Sequence, residues 1–302
     1  MNRTSSRIYD DDNDTQIMIH LMVKVRPFDH LDDYPTRVDI EEKLASAKIR
    51  ANTRLWFDDE QLIGWAYVDD FNNLYWEFEN PYDELPGVEV IAWGESCIRK
   101  LLQSGNSAAL DATCRENDIK KISILKQYDF RQTQETSVIM MRPLSEPIAD
   151  PELPPGFNIR PILGMNEAEA VATMHRAAFG TQYMTTEQRL IIMNTSSYDP
   201  SMDLVVVAPD GTIAAYCTCS VNNQTKIGFT DPVATHPNYQ HMGLARALLF
   251  TGFRLLKERG MTSAHLGTDG DNIAMQKTAE SAGFQIAYRT LWFTKEVHLE
   301  KS

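Results

Sequence analysis

The chain has 302 residues, 43% hydrophobic and 24% charged, which is enough for two globular domains that each bury a core. Its formal charge of −13 argues against nucleic-acid binding, which draws on a surplus of Lys and Arg, and no run of 18 apolar residues is present to cross a membrane. Four scattered cysteines and a first segment without an apolar centre fit a cytoplasmic protein better than a disulfide-stapled secreted one. Cys217 and Cys219, two positions apart, read as small buried hydrophobes. The acidity is uneven: residues 1–150 carry 28 acids against 17 bases, a net of −11, and the remainder 14 against 12, a net of −2.

Residues 1–14, rich in Asp, Asn and Ser, are expected to be a flexible N-terminus. An extended segment ending in Val25-Arg26-Pro27 opens the first half and a helical stretch follows. Three strands come next, over residues 55–57, 62–68 and 74–78, separated by the turn formers Asp58-Asp59-Glu60 and Asn72-Asn73. Gly87 lies six residues after Pro81 and precedes a helix; Asp118-Ile119 opens another, twelve and eleven residues before Phe130. Residues 143–156 hold five prolines, which prevents a continuous helix or an internal strand and marks a domain boundary. The expected division is a first domain over 15–145, a Pro-rich linker over 146–156 and a second domain over 157–302.

The second half repeats the plan. Ile159-Arg160-Pro161 opens it, and Asn166 caps a helix with Val171, Met174, His175 and Ala178 at helical spacing. Pro209-Asp210-Gly211 and Asn222-Asn223-Gln224 divide strands over 204–208, 213–221 and 227–235. Gly243 lies six residues after Pro237 and precedes a helix, and Asn272-Ile273 lies twelve and eleven residues before Phe284. Several spacings matching in the same order imply an internal duplication.

The turn Gln240-His241-Met242-Gly243-Leu244-Ala245-Arg246 has the makings of a phosphate cradle. Gly243 and Ala245 let the backbone pass close to a ligand, and the first N–H groups of the helix lack intrahelical partners. An apolar strand ending in Val233-Ala234-Thr235 that runs into this Gln-x-x-Gly-x-Ala turn resembles the GNAT acyltransferase superfamily. The later strand Ala264-His265-Leu266-Gly267-Thr268, with Asn272-Ile273-Ala274 opening a helix that ends at Ala282-Gly283-Phe284, resembles that family's second motif. The likeness is clear over 157–297 and extends to 17–142 only in layout. The fold class it implies is α/β (α+β mixed): two tandem GNAT-like domains, each a bent mixed sheet flanked by helices and splayed between its fourth and fifth strands.

The resemblance implies acetyl-CoA as cosubstrate. Its pyrophosphate would sit on the backbone of His241 to Arg246, with Gln240 ordering the turn, and its pantetheine amides would add a strand along Val233, Ala234 and Thr235. Asn272 is a cofactor contact, a helix N-cap, or both. Asp231 is the candidate base, or else a turn former before Pro232, a dipeptide that suits a bulge or kink in the strand. The tyrosine that many family members carry five residues before the closing Phe is Ala279 here; Tyr288 is a candidate acid, or a wall of the cleft.

None of the seven histidines has metal-ligand spacing, so no metal is expected. In the first half Asp83, Glu84, Val88 and Glu89 surround Gly87, and like charge predicts no cofactor there. The aromatic and acidic run over 65–79 reads as ordinary strand alternation or as a wall for an ammonium group. The function expected is acetyl transfer to a primary amine of a small molecule or peptide, with no nucleic-acid or membrane partner; a monomer and a homodimer both remain open. The alternative is an acyl-CoA-binding or sensing protein without turnover.

Overall fold

The computed structural model describes residues 4–82, 84–102 and 106–299. In chain order the elements are β1 (Thr4–Ile8), α1 (Asp12–Val25), α2 (Arg37–Leu44), α3 (Ala47–Ala51), β2 (Thr53–Asp58), β3 (Gln61–Val68), β4 (Leu74–Phe78), α4 (Ile91–Arg99), β5 (Ser107–Arg115), α5 (Ile119–Gln127) and β6 (Arg131–Pro143). The second series is β7 (Asn158–Pro161), α6 (Ala168–Phe179), α7 (Thr186–Met193), β8 (Asp203–Val207), β9 (Ile213–Asn222), β10 (Ile227–Thr235), α8 (Leu244–Glu258), β11 (Ser263–Asp269), α9 (Ile273–Ser281) and β12 (Gln285–His298). Apart from the extra helix α3, both series run strand, two helices, three strands, helix, strand, helix, strand.

Two compact units result: unit 1 is Met1–Ser137 with Arg289–Ser302, and unit 2 is Val138–Tyr288. The expected boundaries at 145 and 157 differ from this, because the contacts change hands inside β6 and β12 rather than in the proline-rich stretch. Residues 146–156 are indeed irregular, but Ile148 and Leu153 pack against the core of unit 2, so the stretch is fastened to that unit.

The N-terminus also differs from expectation. Residues 4–8 form β1, antiparallel to β2 with Arg7 opposite Leu55, and Asp11 caps α1 by accepting from the Asn13 N–H at 2.9 Å. Arg7 donates two hydrogen bonds of 2.6 Å to Asp14, seven residues on. In unit 2 Arg160 does the same to Glu167, also seven residues on, at 2.8 and 2.5 Å. In each unit the acid also accepts a backbone N–H four residues before it, from Asp10 or Leu163. The duplication therefore opens on Arg7 and Arg160. Val25-Arg26-Pro27 instead closes α1, where Arg26 ties Glu77 to the carbonyls of Asp33 and Pro35.

In unit 1, β1-β2-β3-β4 form an antiparallel sheet, and β12 pairs antiparallel with β5. Trp65, Tyr67, Tyr75, Trp76 and Phe78 are all core residues. The carboxylate of Asp69 is turned into the Asn72-Asn73 turn, accepting from the N–H groups of Phe71 and Asn73. Trp65, Tyr67 and Tyr75 fill one core and Trp76 and Phe78 another, so the aromatic run is buried on both faces of the sheet instead of alternating rings inward with acids outward.

In unit 2 the strand order is β6-β11-β10-β9-β8-β7, with β10 and β11 parallel and β7 to β10 antiparallel. The apolar stripe of α8, with Leu244, Leu248, Phe253 and Leu256 each at most 1% exposed, covers one face of this sheet together with Cys217 and Cys219. The helices α6 and α7 cover the other, through Val171, Met174 and Met193 against Val205, Tyr216 and Ala234.

Candidate functional site

The site is made where β10 leaves β11. The two strands pair from Ile227 opposite Ser263 to Phe229 opposite His265, and there the pairing stops. The register of β10 against β9 shifts between Thr230 and Val233, the bulge that Asp231-Pro232 had suggested, and pairing then resumes with Val233 opposite Cys217 and Thr235 opposite Ala215. Val233, Ala234 and Thr235 are therefore bonded to β9 on one edge and open on the other. An extended amide-bearing chain can add there as a further strand.

Beyond this edge the chain makes a short turn. His236 Nδ1 accepts the Asn238 N–H at 3.2 Å, Gln240 is extended, and His241 adopts a left-handed φ of 62°. Gly243 follows at φ 78° and starts α8, which has no side-chain cap. The first bond of that helix runs from the Ala247 N–H to the Gly243 carbonyl at 3.0 Å, so the N–H groups of Leu244, Ala245 and Arg246 have no intrahelical carbonyl to reach. A Cβ on Gly243 would meet nothing within 4 Å, which leaves room for a ligand against the backbone. The side chain of Leu244 is core, while Met242 is 37% exposed and Arg246 stacks on the Phe250 ring at 5.1 Å. The side chain of Gln240 is exposed and makes no hydrogen bond among the described residues; the left-handed backbone at His241 and the His236 contact order this turn instead.

The matching turn of unit 1 is closed. Gly87 lies in a wide helical turn over Pro86–Val90 that leads straight into α4, and a Cβ on Gly87 would fall 2.4 Å from a ring carbon of Tyr128. Glu89 accepts the Trp56 indole N–H at 2.7 Å, so its carboxylate is committed to the fold. Asp83 lies outside the described residues.

Asp231 is exposed at the bulge, and its Oδ2 accepts the Gly267 N–H at 3.3 Å across the start of the splay. Asn272 is the N-cap of α9 and accepts the Met275 N–H at 3.1 Å, and it remains exposed. Ala279 is wholly buried beside Phe284, so α9 presents no hydroxyl from that position. Tyr288 is half-buried on β12. Among the described residues there is no group of three or more His, Cys, Asp or Glu arranged to hold a metal ion.

Two residues beside this edge had no assigned role in the sequence. Tyr216, opposite Ala234, is buried, and its hydroxyl lies 2.6 Å from His175 Nδ1 on α6. Burial, with Arg189 and Arg176 nearby, pushes His175 down to about 4, so its ring is neutral at pH 7. Burial, with Asp231 and Asp203 also contributing, pushes the Tyr216 phenol up. Arg189 itself is buried and paired with Asp203, which also accepts from Tyr198 at 2.6 Å and Thr218 at 3.2 Å. Helical periodicity placed His175 on a face but did not reveal its partner, which α6 meets only once it lies on the sheet.

The imidazole of His175 is expected to titrate near pH 4 by NMR instead of near its ordinary 6.5. The unfolded chain then takes up this proton at higher pH than the folded one. The contribution to stability is complete above pH 6.5 and is lost as pH falls from there through about 4. In His175→Gln, thermal melts across this range should show a weaker pH dependence, and an unchanged one would contradict the assignment.

Residues 168–284 match the acetyltransferase (GNAT) family. Curated relatives include a mycothiol acetyltransferase of Nocardiopsis dassonvillei, 28% identical over 47% of this chain and 46% of that protein. Another, of Thermobispora bispora, is 25% identical over 76% of this chain and 79% of that protein. The chain thus spans about half the length of the first of these relatives. Among solved structures, a GCN5-related N-acetyltransferase from Sphaerobacter thermophilus has a TM-score of 0.71 at 19% identity, covering 100% of this chain and 98% of its own. A tandem GNAT protein from the clavulanic acid biosynthesis pathway also has a TM-score of 0.71, at 14% identity and 99% coverage of both chains.

Proposed function

We propose that this chain, which matches the acetyltransferase (GNAT) family over residues 168–284 and is similar in fold along its length to a tandem GNAT protein, moves an acetyl group from acetyl-CoA, held by unit 2, to a primary amine. The observation that carries this reading is the open cradle at Gly243 beside the open edge of Val233, Ala234 and Thr235. The backbone from His241 to Arg246 receives the pyrophosphate, aided by the dipole of α8, worth about 0.3–1 kcal/mol at an exposed helix end. The open edge pairs with the pantetheine amides, and an N–H on that edge steadies the thioester oxygen as charge develops on it. Bound acetyl-CoA supplies an activated acyl group with a thiolate leaving group.

Asp231 takes a proton from the incoming ammonium, which leaves the amine lone pair free to attack. The Gly267 N–H holds that carboxylate at the splay. With Ala279 in the core, α9 offers no acid at that position, and Tyr288 is the candidate proton donor to the departing sulfur. The curated relatives named as mycothiol acetyltransferases support a small-molecule acceptor over a peptide.

Release of free thiol from acetyl-CoA across a panel of small amines tests the reading, and one acetyl-CoA is expected per chain by calorimetry. A stoichiometry of two would show that unit 1 has kept a cofactor site. The burial of Ala279 favours a second reading, an acyl-CoA-binding protein without turnover. Binding with no thiol release for any amine would select it.

A further inference from the structure

We propose that unit 1 carries a second small-molecule site, a cavity for a small organic anion bearing a carboxylate or phosphate group. It lies where β4 and β5 part. Asn73 and Asp111 make a single parallel bridge between the two strands, and β4 and β5 both wall a cavity of about 530 Å3 contained within unit 1. That size is in the range of small-molecule sites, roughly 300–1,000 Å3.

The charges in its wall decide the class of ligand. Three carboxylates line it, and each is already engaged. Glu77 accepts from Arg26 at 2.6 Å, Asp33 faces Arg115 at 3.0 Å and His30 at 3.3 Å, and Asp118 caps α5 by accepting the Lys121 N–H at 2.9 Å. Four permanent cations share the wall, Arg26, Arg115, Lys120 and Lys121, so it carries a positive excess within a half of the chain whose net charge is −11.

Lys121 is where that excess is exposed to a ligand. Its Nζ lies 4.4 Å from the centre of the Trp76 ring, another wall residue, and it has no carboxylate partner among the described residues. The ring holds the ammonium group in place without neutralising it, which leaves its N–H donors available to an anion. An amine would meet a wall of its own sign. The long cofactor is not the occupant either, because the Gly87 turn that would receive a pyrophosphate is filled by Tyr128.

The experiment uses the full chain carrying Gly243→Glu, so that the cradle of unit 2 does not compete. Inorganic phosphate and malonate are titrated by calorimetry, with putrescine as the cationic control. One of the two anions should bind saturably at one per chain, with a dissociation constant of about 1 mM or below, and the preferred anion identifies the group. Lys121→Glu should weaken that binding by roughly tenfold or more, and Lys121→Arg should retain it. Should Lys121→Glu fail to fold, Lys121→Gln takes its place with the same expected direction. No saturable anion binding, an affinity indifferent to Lys121, or competition by putrescine or acetyl-CoA would each overturn the proposal.

Discussion

Gly243→Glu is expected to lower the affinity for acetyl-CoA by roughly 100-fold or more, because it places a carboxylate where the pyrophosphate is to lie and narrows the backbone approach. The fold should survive. A Cβ at this position meets nothing within 4 Å, so the cost is confined to holding an L-residue at φ 78°. That strain is about 1–2 kcal/mol, a fall in melting temperature of several degrees for a unit of this size. Gly243→Ala separates the two effects, since it pays the same strain without the charge and should retain most of the affinity. Calorimetry of both variants, alongside thermal melts, is the measurement, and an unchanged affinity in Gly243→Glu would place the cofactor elsewhere. Unit 1 supplies the natural contrast, with a glycine at the matching point whose surroundings are filled by the Tyr128 ring.

The parts of the fold that could be read in the sequence are those whose physics is local. Pro209-Asp210-Gly211 and Asn222-Asn223-Gln224 make turns through their own backbone preferences, and the strands they join fell into place around them. Asn272 and Gly243 were visible as a cap and as an unhindered backbone for the same reason. The strand Thr4–Ile8 was not, because its residues are mostly exposed and carry no apolar alternation; it exists through pairing with β2 and the two bonds from Arg7 to Asp14. The division between the units escaped detection because β6 and β12 are continuous strands of 13 and 14 residues. Nothing in their sequence marks where one core stops claiming them and the other starts. The pairing of His175 with Tyr216 joins residues 41 apart and depends on how α6 lies on the sheet.

Asp231→Asn is expected to lower kcat/KM by about 10²–10⁴-fold, the range of a lost general base, while leaving acetyl-CoA affinity nearly unchanged. The substitution is close to isosteric, and an Asn oxygen can still accept the Gly267 N–H, so the bulge that opens the splay should persist. This separates the chemical role from the structural one. If Asp231 only shapes the turn before Pro232, Asn will serve as well as Asp and turnover will hold. If it accepts the proton of the ammonium, the limb of the pH–rate profile on which activity rises as this carboxylate ionises should disappear with the mutation. The remaining rate should then climb with pH as the free amine of the substrate becomes available in solution. Tyr288→Phe supplies the complementary measurement. A role as acid predicts loss on the opposite limb, whereas an unaltered profile would mean that the thiolate leaves without a protein acid, consistent with the burial of Ala279 in the core.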